Sequence, residues 1–368
     1  MKIVTIVGAR PQFIKAAAFS RAVKGRHTEV LIHTGQHFDS NMSDIFFQEL
    51  DIPKPAYHLG ISGGSHGKMT GAMIAGIEEV LIRERPDWTL VYGDTNSTMA
   101  GAIAAVKLGI PVAHVEAGIR LGTLSNPEEV NRIVTDHVSR ILFVPTDVEL
   151  QNLQKENLDA DAHVVGNIMY DSYLYCMNQI EEMTQIHLYD RKGHQIDLPE
   201  RYYYLTCHRQ ENTYDDIPLR EILKAMNELE FPSVYPIHPR NQERVERLCL
   251  ENHFEKIRFI QPVGYRESLY LLKHCEKVVT DSGGLQCEAF YAKKQCVTVF
   301  DRVCWPQTMV GNRNQLSKAK AEEILDRLSQ VQEIQKDYQP FGDGHTAEKV
   351  IGILEKFYDS AYLSAGAV

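Results

Sequence analysis

The chain lacks a basic run, a long apolar run and a closely spaced cysteine pair, and each absence removes a class of function. Its net charge is −10 and its 39 Lys and Arg residues are scattered. The clustered cations that neutralise a nucleic-acid backbone are missing, so no nucleic-acid partner is expected. No stretch approaches the ~20 apolar residues needed to cross a bilayer, so no membrane partner is expected either. The opening Met1-Lys2-Ile3-Val4-Thr5-Ile6-Val7 meets Gly8-Ala9-Arg10-Pro11 too soon for an export signal and reads as a buried first strand. All seven cysteines, Cys176, Cys207, Cys249, Cys275, Cys287, Cys296 and Cys304, lie beyond residue 175. Their odd number and the lack of a C-x-x-C spacing argue against a disulfide framework and against zinc. They read as small buried hydrophobes in a reducing compartment, so a cytoplasmic location is expected. Cys207 and Cys287 sit inside polar motifs and are kept as neighbours of a site.

What the chain does have is length and periodicity. At 368 residues and 43% hydrophobic content it exceeds what one core usually serves, which predicts two α/β domains of about 150–200 residues each. Short β-branched runs alternate with helix-length segments, the pattern of parallel sheets wrapped by helices. The first strands are Ile3–Val7, Glu29–His33, Thr89–Tyr92, Val112–Val115, Ile141–Val144 and His163–Val165. A second series, Tyr202–Thr206, Ser233–Ile237, Ile257–Ile260, Lys277–Thr280 and Cys296–Phe300, starts afresh. The polar stretch from Thr184 to Pro199 reads as the loop entering the second domain. These patterns predict domains at 1–168 and 169–345. A final helix from Thr346 carries an apolar stripe of Val350, Ile351, Ile353, Leu354 and Phe357 and is expected to pack back on the first domain.

In doubly wound sheets a ligand sits beyond the carboxyl ends of the strands. Here those positions are polar in both halves: Gly8-Ala9-Arg10-Pro11-Gln12, Thr34-Gly35-Gln36-His37, Gly93-Asp94-Thr95-Asn96, Glu116-Ala117-Gly118, Cys207-His208-Arg209-Gln210-Glu211-Asn212, His238-Pro239-Arg240 and Asp281-Ser282-Gly283-Gly284. The last of these follows a strand and opens a helix, where free N–H groups and glycine favour a phosphate. The bland reading is a strand–helix turn capped by Ser282, common for a lone S-G-G. Arg10 and His208, donors after strands in each half, add weight to the phosphate reading, and Glu288 is placed to accept from ribose hydroxyls.

Asp94, Glu116 and Glu128 put three carboxylates after consecutive strands or in the adjoining loop, an arrangement that can raise one pKa and hold another low. For Glu128 alone the plainer reading is a helix start, with Pro127 first and acids in the first turn. Asp94 and Glu116 resist that reading, because a carboxylate directly after an apolar strand is costly unless solvated or paired. His37, His114 and His238 each fit an ordinary core or loop histidine, and no pair of them has metal-site spacing.

Together these segments resemble the non-hydrolysing UDP-N-acetylglucosamine 2-epimerases, over about Lys2 to Leu354. The matching stretches are Gly8-Ala9-Arg10-Pro11-Gln12-Phe13-Ile14-Lys15, Thr34-Gly35-Gln36-His37, Gly93-Asp94-Thr95, His114-Val115-Glu116-Ala117-Gly118, Pro127-Glu128-Glu129, His208-Arg209-Gln210-Glu211-Asn212 and Thr280-Asp281-Ser282-Gly283-Gly284. The resemblance implies a GT-B-like fold, two Rossmann-like doubly wound domains facing across a cleft, a homodimer, and no metal or nicotinamide cofactor. It implies that UDP is eliminated from C1 as the C2 proton leaves, and re-adds to the 2-acetamidoglucal. Asp94, Glu116, Glu128, His208 and Lys15 then serve catalysis, while Arg10, Gln36, His37, His208, His238, Ser282, Gly283, Gly284 and Glu288 bind the UDP sugar.

The chain departs from the common pattern in two places. It reads Pro11-Gln12-Phe13-Ile14-Lys15 where typical members read Pro-Glu-Ala-Ile-Lys, and Phe300-Asp301-Arg302-Val303-Cys304-Trp305-Pro306-Gln307 where they carry Arg-Asp-Thr-Thr-Glu-Arg-Pro-Glu. Trp305 thus replaces an arginine, and Arg302 and Arg313 are the candidate replacement cations. The Gln-Phe form, with Gln36-His37-Phe38-Asp39 and Gly63-Gly64-Ser65-His66-Gly67, resembles the branch that includes UDP-2,3-diacetamido-2,3-dideoxyglucuronate 2-epimerases of surface polysaccharide synthesis. Ala72 stands where some members carry an arginine tied to activation by substrate. Two rival readings are a GT-B glycosyltransferase, which has no need for the three acids, and an inactive nucleotide-sugar sensor.

Overall fold

The computed structural model describes residues 1–36, 49–181, 183 and 186–365, the side chains of 361–365 excepted. His37 lies outside the described residues. The chain divides into two compact units, Met1–Tyr175 with Gln339–Val368, and Cys176–Tyr338.

The first unit is built on β1 (Lys2–Val7), whose last five residues are all buried. Burial on both faces is what a continuous apolar run gives in a parallel sheet covered by helices. Around it stand β2 (Thr28–His33), β3 (Tyr57–His58), β4 (Trp88–Tyr92), β5 (Val112–Val115), β6 (Ile141–Val144) and β7 (Ala162–Val164), in the order β3-β2-β1-β4-β5-β6-β7. All pairings are parallel, with Val7 opposite His33 and Tyr92 opposite Val115. The chain leaves β1 toward β2 on one side and returns to β4 on the other, so a topological switch point lies between β1 and β4.

After β8 (Leu188–Tyr189) and β9 (Gln195–Ile196), the second unit repeats that winding with β10 (Tyr203–Thr206), β11 (Ser233–Pro236), β12 (Ile257–Ile260), β13 (Lys277–Thr280), β14 (Gln295–Val299) and β15 (Asn314–Ser317). Its order is β12-β11-β10-β13-β14-β15, again parallel, with the switch point between β10 and β13.

Three features differ from the sequence reading. The polar stretch 184–199 is not all loop, because β8 and β9 pair antiparallel within it. Strand β15 is not marked by an apolar run, since it reads Asn-Gln-Leu-Ser, yet it is largely buried, and Thr298 Oγ1 donates to Asn314 Oδ1 at 2.8 Å. The first exchange between units falls inside the helix Ile168–Glu181, which no break in sequence pattern marks. The final helix, Thr346–Ala365, belongs to the first unit. There Arg26 and His27 reach Glu355 at 2.9 and 2.8 Å, and Phe357 meets Trp88 edge-on. No helix among the described residues is long and apolar enough to cross a membrane.

Candidate active site

In the first unit the loops after β1 and β4 are joined by one side chain. Buried Gln12, in the helix Arg10–Val23, accepts from the N–H groups of Gly8 and Ala9 at 2.8 and 3.1 Å through Oε1. Its Nε2 donates to Tyr92 O and Thr98 Oγ1, both at 2.9 Å. A glutamine is suited to this place because it offers acceptor and donor at once. Gly8 is required by space, since a Cβ there would lie 2.1 Å from Ser97 Oγ. Gln36 is tied to the same corner: its Oε1 accepts from Ser97 N and Oγ at 3.1 and 2.7 Å.

The acids are held individually. Glu116 follows β5 with φ +70°, in the left-handed region that non-glycine residues rarely occupy. Its Oε1 accepts from Lys15 Nζ at 2.6 Å, both side chains being buried, while Oε2 is buried without a hydrogen-bond partner. Gly93 lies beneath this pair. Its φ is +63°, and a Cβ on it would meet Lys15 Nζ at 3.0 Å. Asp94 Oδ2 is paired with Arg132, whose other arm donates to Glu129 Oε2 at 2.9 Å. Asn131 Nδ2 donates to the Asp94 carbonyl at 2.9 Å.

Glu128 starts the helix Pro127–Val138, where Asn126 Oδ1 accepts its N–H at 2.8 Å, and it is exposed. Glu129 is the buried member of that pair and also accepts from Leu121 N and Gly122 N at 2.7 and 2.9 Å. The sequence pattern alone gives Glu129 and Arg132 no place in the site. Their separation of three on one helix fits an ion pair, but the separation of four between Glu128 and Arg132 fits one equally well.

In the second unit the corresponding turns are organised by Asp281, which follows β13. Its carboxylate accepts from His208 N at 2.9 and 3.0 Å, from Arg209 N at 2.8 Å and from His208 Nδ1 at 3.0 Å. Burial opposes its charge, but the His208 side chain and these backbone N–H groups outweigh burial and hold its pKa at about 2. The His208 ring stacks on His238 at 5.9 Å. Burial, with Asp281 alongside, pushes the Cys207 thiol well above its ordinary value, so that cysteine is a packed neighbour and no nucleophile.

Ser282 caps the helix Gly283–Tyr291, its Oγ accepting from Leu285 N at 3.3 Å. Glu288 lies buried further along it and accepts from Tyr265 Oη at 2.9 Å. Trp305 is buried against the start of this helix, 3.6 Å from where a Cβ on Gly283 would stand. Arg302 is half-exposed beside Asp301, at 3.7 Å. Arg313, expected as a candidate replacement cation, is instead buried: its guanidinium lies 3.7 Å over the Phe290 ring and donates to the Phe290 carbonyl. Half-buried Arg10 opens the helix Arg10–Val23 in the first unit.

Two Rossmann-like units with these polar carboxyl-end loops define a GT-B-like α/β enzyme. The crystal structure of Methanocaldococcus jannaschii UDP-GlcNAc 2-epimerase in complex with UDP-GlcNAc and UDP superposes with a TM-score of 0.86 at 37% identity, covering 97% of this chain and 100% of that one. Over 366 residues the chain is 45% identical to the UDP-2,3-diacetamido-2,3-dideoxy-D-glucuronate 2-epimerase of Pseudomonas aeruginosa, covering 97% of this chain and 100% of the relative. It is 37% identical over 364 residues to the UDP-N-acetylglucosamine 2-epimerase of M. jannaschii, at 96% and 99% coverage. The family described as UDP-N-acetylglucosamine 2-epimerase matches residues 21–355. The chain therefore belongs to the UDP-N-acetylglucosamine 2-epimerase family and is an isomerase.

Proposed function

We propose that this epimerase interconverts UDP-N-acetylglucosamine and UDP-N-acetylmannosamine by elimination and re-addition of UDP. A base takes the C2 proton, the C1–O bond breaks with its electron pair leaving on UDP, and a C1=C2 double bond forms. UDP oxygen then re-adds to C1 while a proton reaches C2 from the opposite face. The observation that carries this reading is Glu116, strained at φ +70°, clamped by Lys15 through one oxygen and left with the other buried and unpartnered. Such an oxygen is costly to keep unless it serves as an acceptor.

Asp94, Glu116 and Glu128 are assigned the acid–base work on two faces of C2, with Lys15 orienting Glu116. The resemblance assigns His208 to catalysis and to UDP, which Arg10, His238, Ser282, Gly283, Gly284 and Glu288 also hold, with Gln36, His37 and Arg302 contributing to substrate binding. A homodimer in the cytoplasm serving cell-envelope polysaccharide synthesis completes the proposal.

A second reading, UDP-2,3-diacetamido-2,3-dideoxyglucuronate as substrate, is favoured by the 45% identity to the P. aeruginosa enzyme and by Trp305 in place of arginine. Incubation with each sugar nucleotide alone in deuterated water distinguishes them. Deuterium at C2 of UDP-N-acetylglucosamine supports the first reading. Exchange confined to the diacetamido sugar replaces it with the second, and no C2 exchange in either removes the epimerase chemistry.

A further inference from the structure

We infer that buried His114, seated by Asp136, is the positioning residue that fixes the turn carrying Asp94 through the Gly93 carbonyl. The inference rests on the acid–base assignment above. His114 sits on β5, fully buried, with Nε2 2.7 Å from the Gly93 carbonyl and Nδ1 2.7 Å from Asp136 Oδ1. Both partners are oxygens that only accept, so each ring nitrogen faces an acceptor. Gly93 N also donates to Val115 O at 2.9 Å. The peptide groups on either side of Gly93 are thus held by β5, and the next residue is Asp94.

The same Asp136 also reaches the turn after β5. Its Oδ2 accepts from Gly118 N at 3.1 Å and from Arg120 at 2.7 Å, and Arg120 is itself fixed by Glu156 at 2.8 Å. Gly118 has φ +81°, and a Cβ there would lie 2.6 Å from Glu149 O, so this turn has little freedom to adjust. Burial works against the Asp136 charge, but His114 and then Arg120 hold its pKa below the usual carboxylate range. The pair touches neither reacting carboxylate. It acts through the backbone beneath Asp94, where a displacement of ~1 Å can cost ~100-fold in rate.

Two amide substitutions separate the contacts. Glutamine places its amide nitrogen near the Nε2 position and keeps a donor toward the Gly93 carbonyl. Asparagine places it near Nδ1 and keeps only the contact with Asp136. C2 deuterium exchange at saturating UDP sugar and UDP affinity are measured on the full chain, using the sugar nucleotide that wild type exchanges. His114→Gln is expected to stay within about tenfold of wild type, and His114→Asn to fall roughly 100-fold, with UDP affinity within about threefold in both. Equal rates for the two variants, the reverse order, or losses that follow UDP affinity would overturn the inference. Asp94→Asn measured alongside separates the two levels. If it exchanges normally the acid–base assignment fails, whereas loss there with no difference between the His114 variants defeats the clamp alone.

Discussion

The two units share a strand order and a switch point but satisfy the polar groups there in opposite ways. In the first, carboxylates after β4 and β5 are matched by long cationic side chains from helices, Arg132 to Asp94 and Lys15 to Glu116. In the second, the carboxylate after β13 turns inward and is consumed by backbone N–H groups and the His208 ring. A carboxylate held by side chains keeps a face for chemistry, as Glu116 Oε2 does. One held by backbone is a structural pin that leaves the adjoining helix start to a ligand. Under the proposed function, the same winding serves as a reactive edge in one unit and a binding edge in the other.

The sharpest way to break this comparison is at the reactive edge. Asp94→Asn preserves shape and removes a proposed acid–base group, so C2 exchange is expected to fall by about 10²–10⁴-fold with UDP affinity changed only a few-fold. Normal exchange with weakened UDP would move Asp94 to the binding edge. Lys15→Met leaves the buried Glu116 charge uncompensated, for which about 3–5 kcal/mol of lost stability is expected in denaturant titration. A loss below about 1 kcal/mol would mean that Glu116 does not depend on the pair.

At the binding edge the expected effects are smaller. His208→Ala removes a cation-capable donor and should weaken UDP binding by about 1.5–3 kcal/mol by calorimetry, with turnover falling in step. Unchanged affinity would place the nucleotide elsewhere. Asp281→Asn should cost about 1–3 kcal/mol of stability, since an amide cannot accept from all the N–H groups gathered there. If it abolished exchange with stability intact, Asp281 would be a reacting group and the contrast between the units would collapse.

Most of the sheet architecture was legible because buried parallel strands are written as apolar runs, and the turns after them stood out by polarity. What stayed hidden was pairing. Nothing local distinguishes Glu129, which is buried on Arg132, from exposed Glu128 beside it. Asp281 is consumed by His208 and Arg209 across sequence separations of 73 and 72 residues, a link between the β13 and β10 loops that only the folded sheet creates. Arg313 read as an available cation from charge alone, yet it is buried with its guanidinium over the Phe290 ring. Gln12 looked like a departure from the family pattern, and only its four contacts reveal that it ties two loops together.

The smallest expected effect separates the units by acid sensitivity. In the first, His33 is buried between Phe13 and His58, with ring centroids 5.1 and 4.5 Å away. Burial, then the charge of His58, lowers its pKa from 6.5 to about 4. Between those values the unfolded chain binds a proton that the folded unit refuses, so this contribution to stability falls as pH drops from 6.5 to about 4 and is flat below. In the second, Asp281 ionises at about 2 against an ordinary 3.8. Its contribution is complete above 3.8 and is lost only as pH falls through that window toward 2. On gradual acidification, peptides of the first unit should therefore gain amide exchange before those of the second in the intact chain. His33→Phe should flatten the first unit's dependence between pH 6.5 and 4 without touching the second's. An unchanged slope in that variant would show that the first unit's acid response is set by groups other than His33.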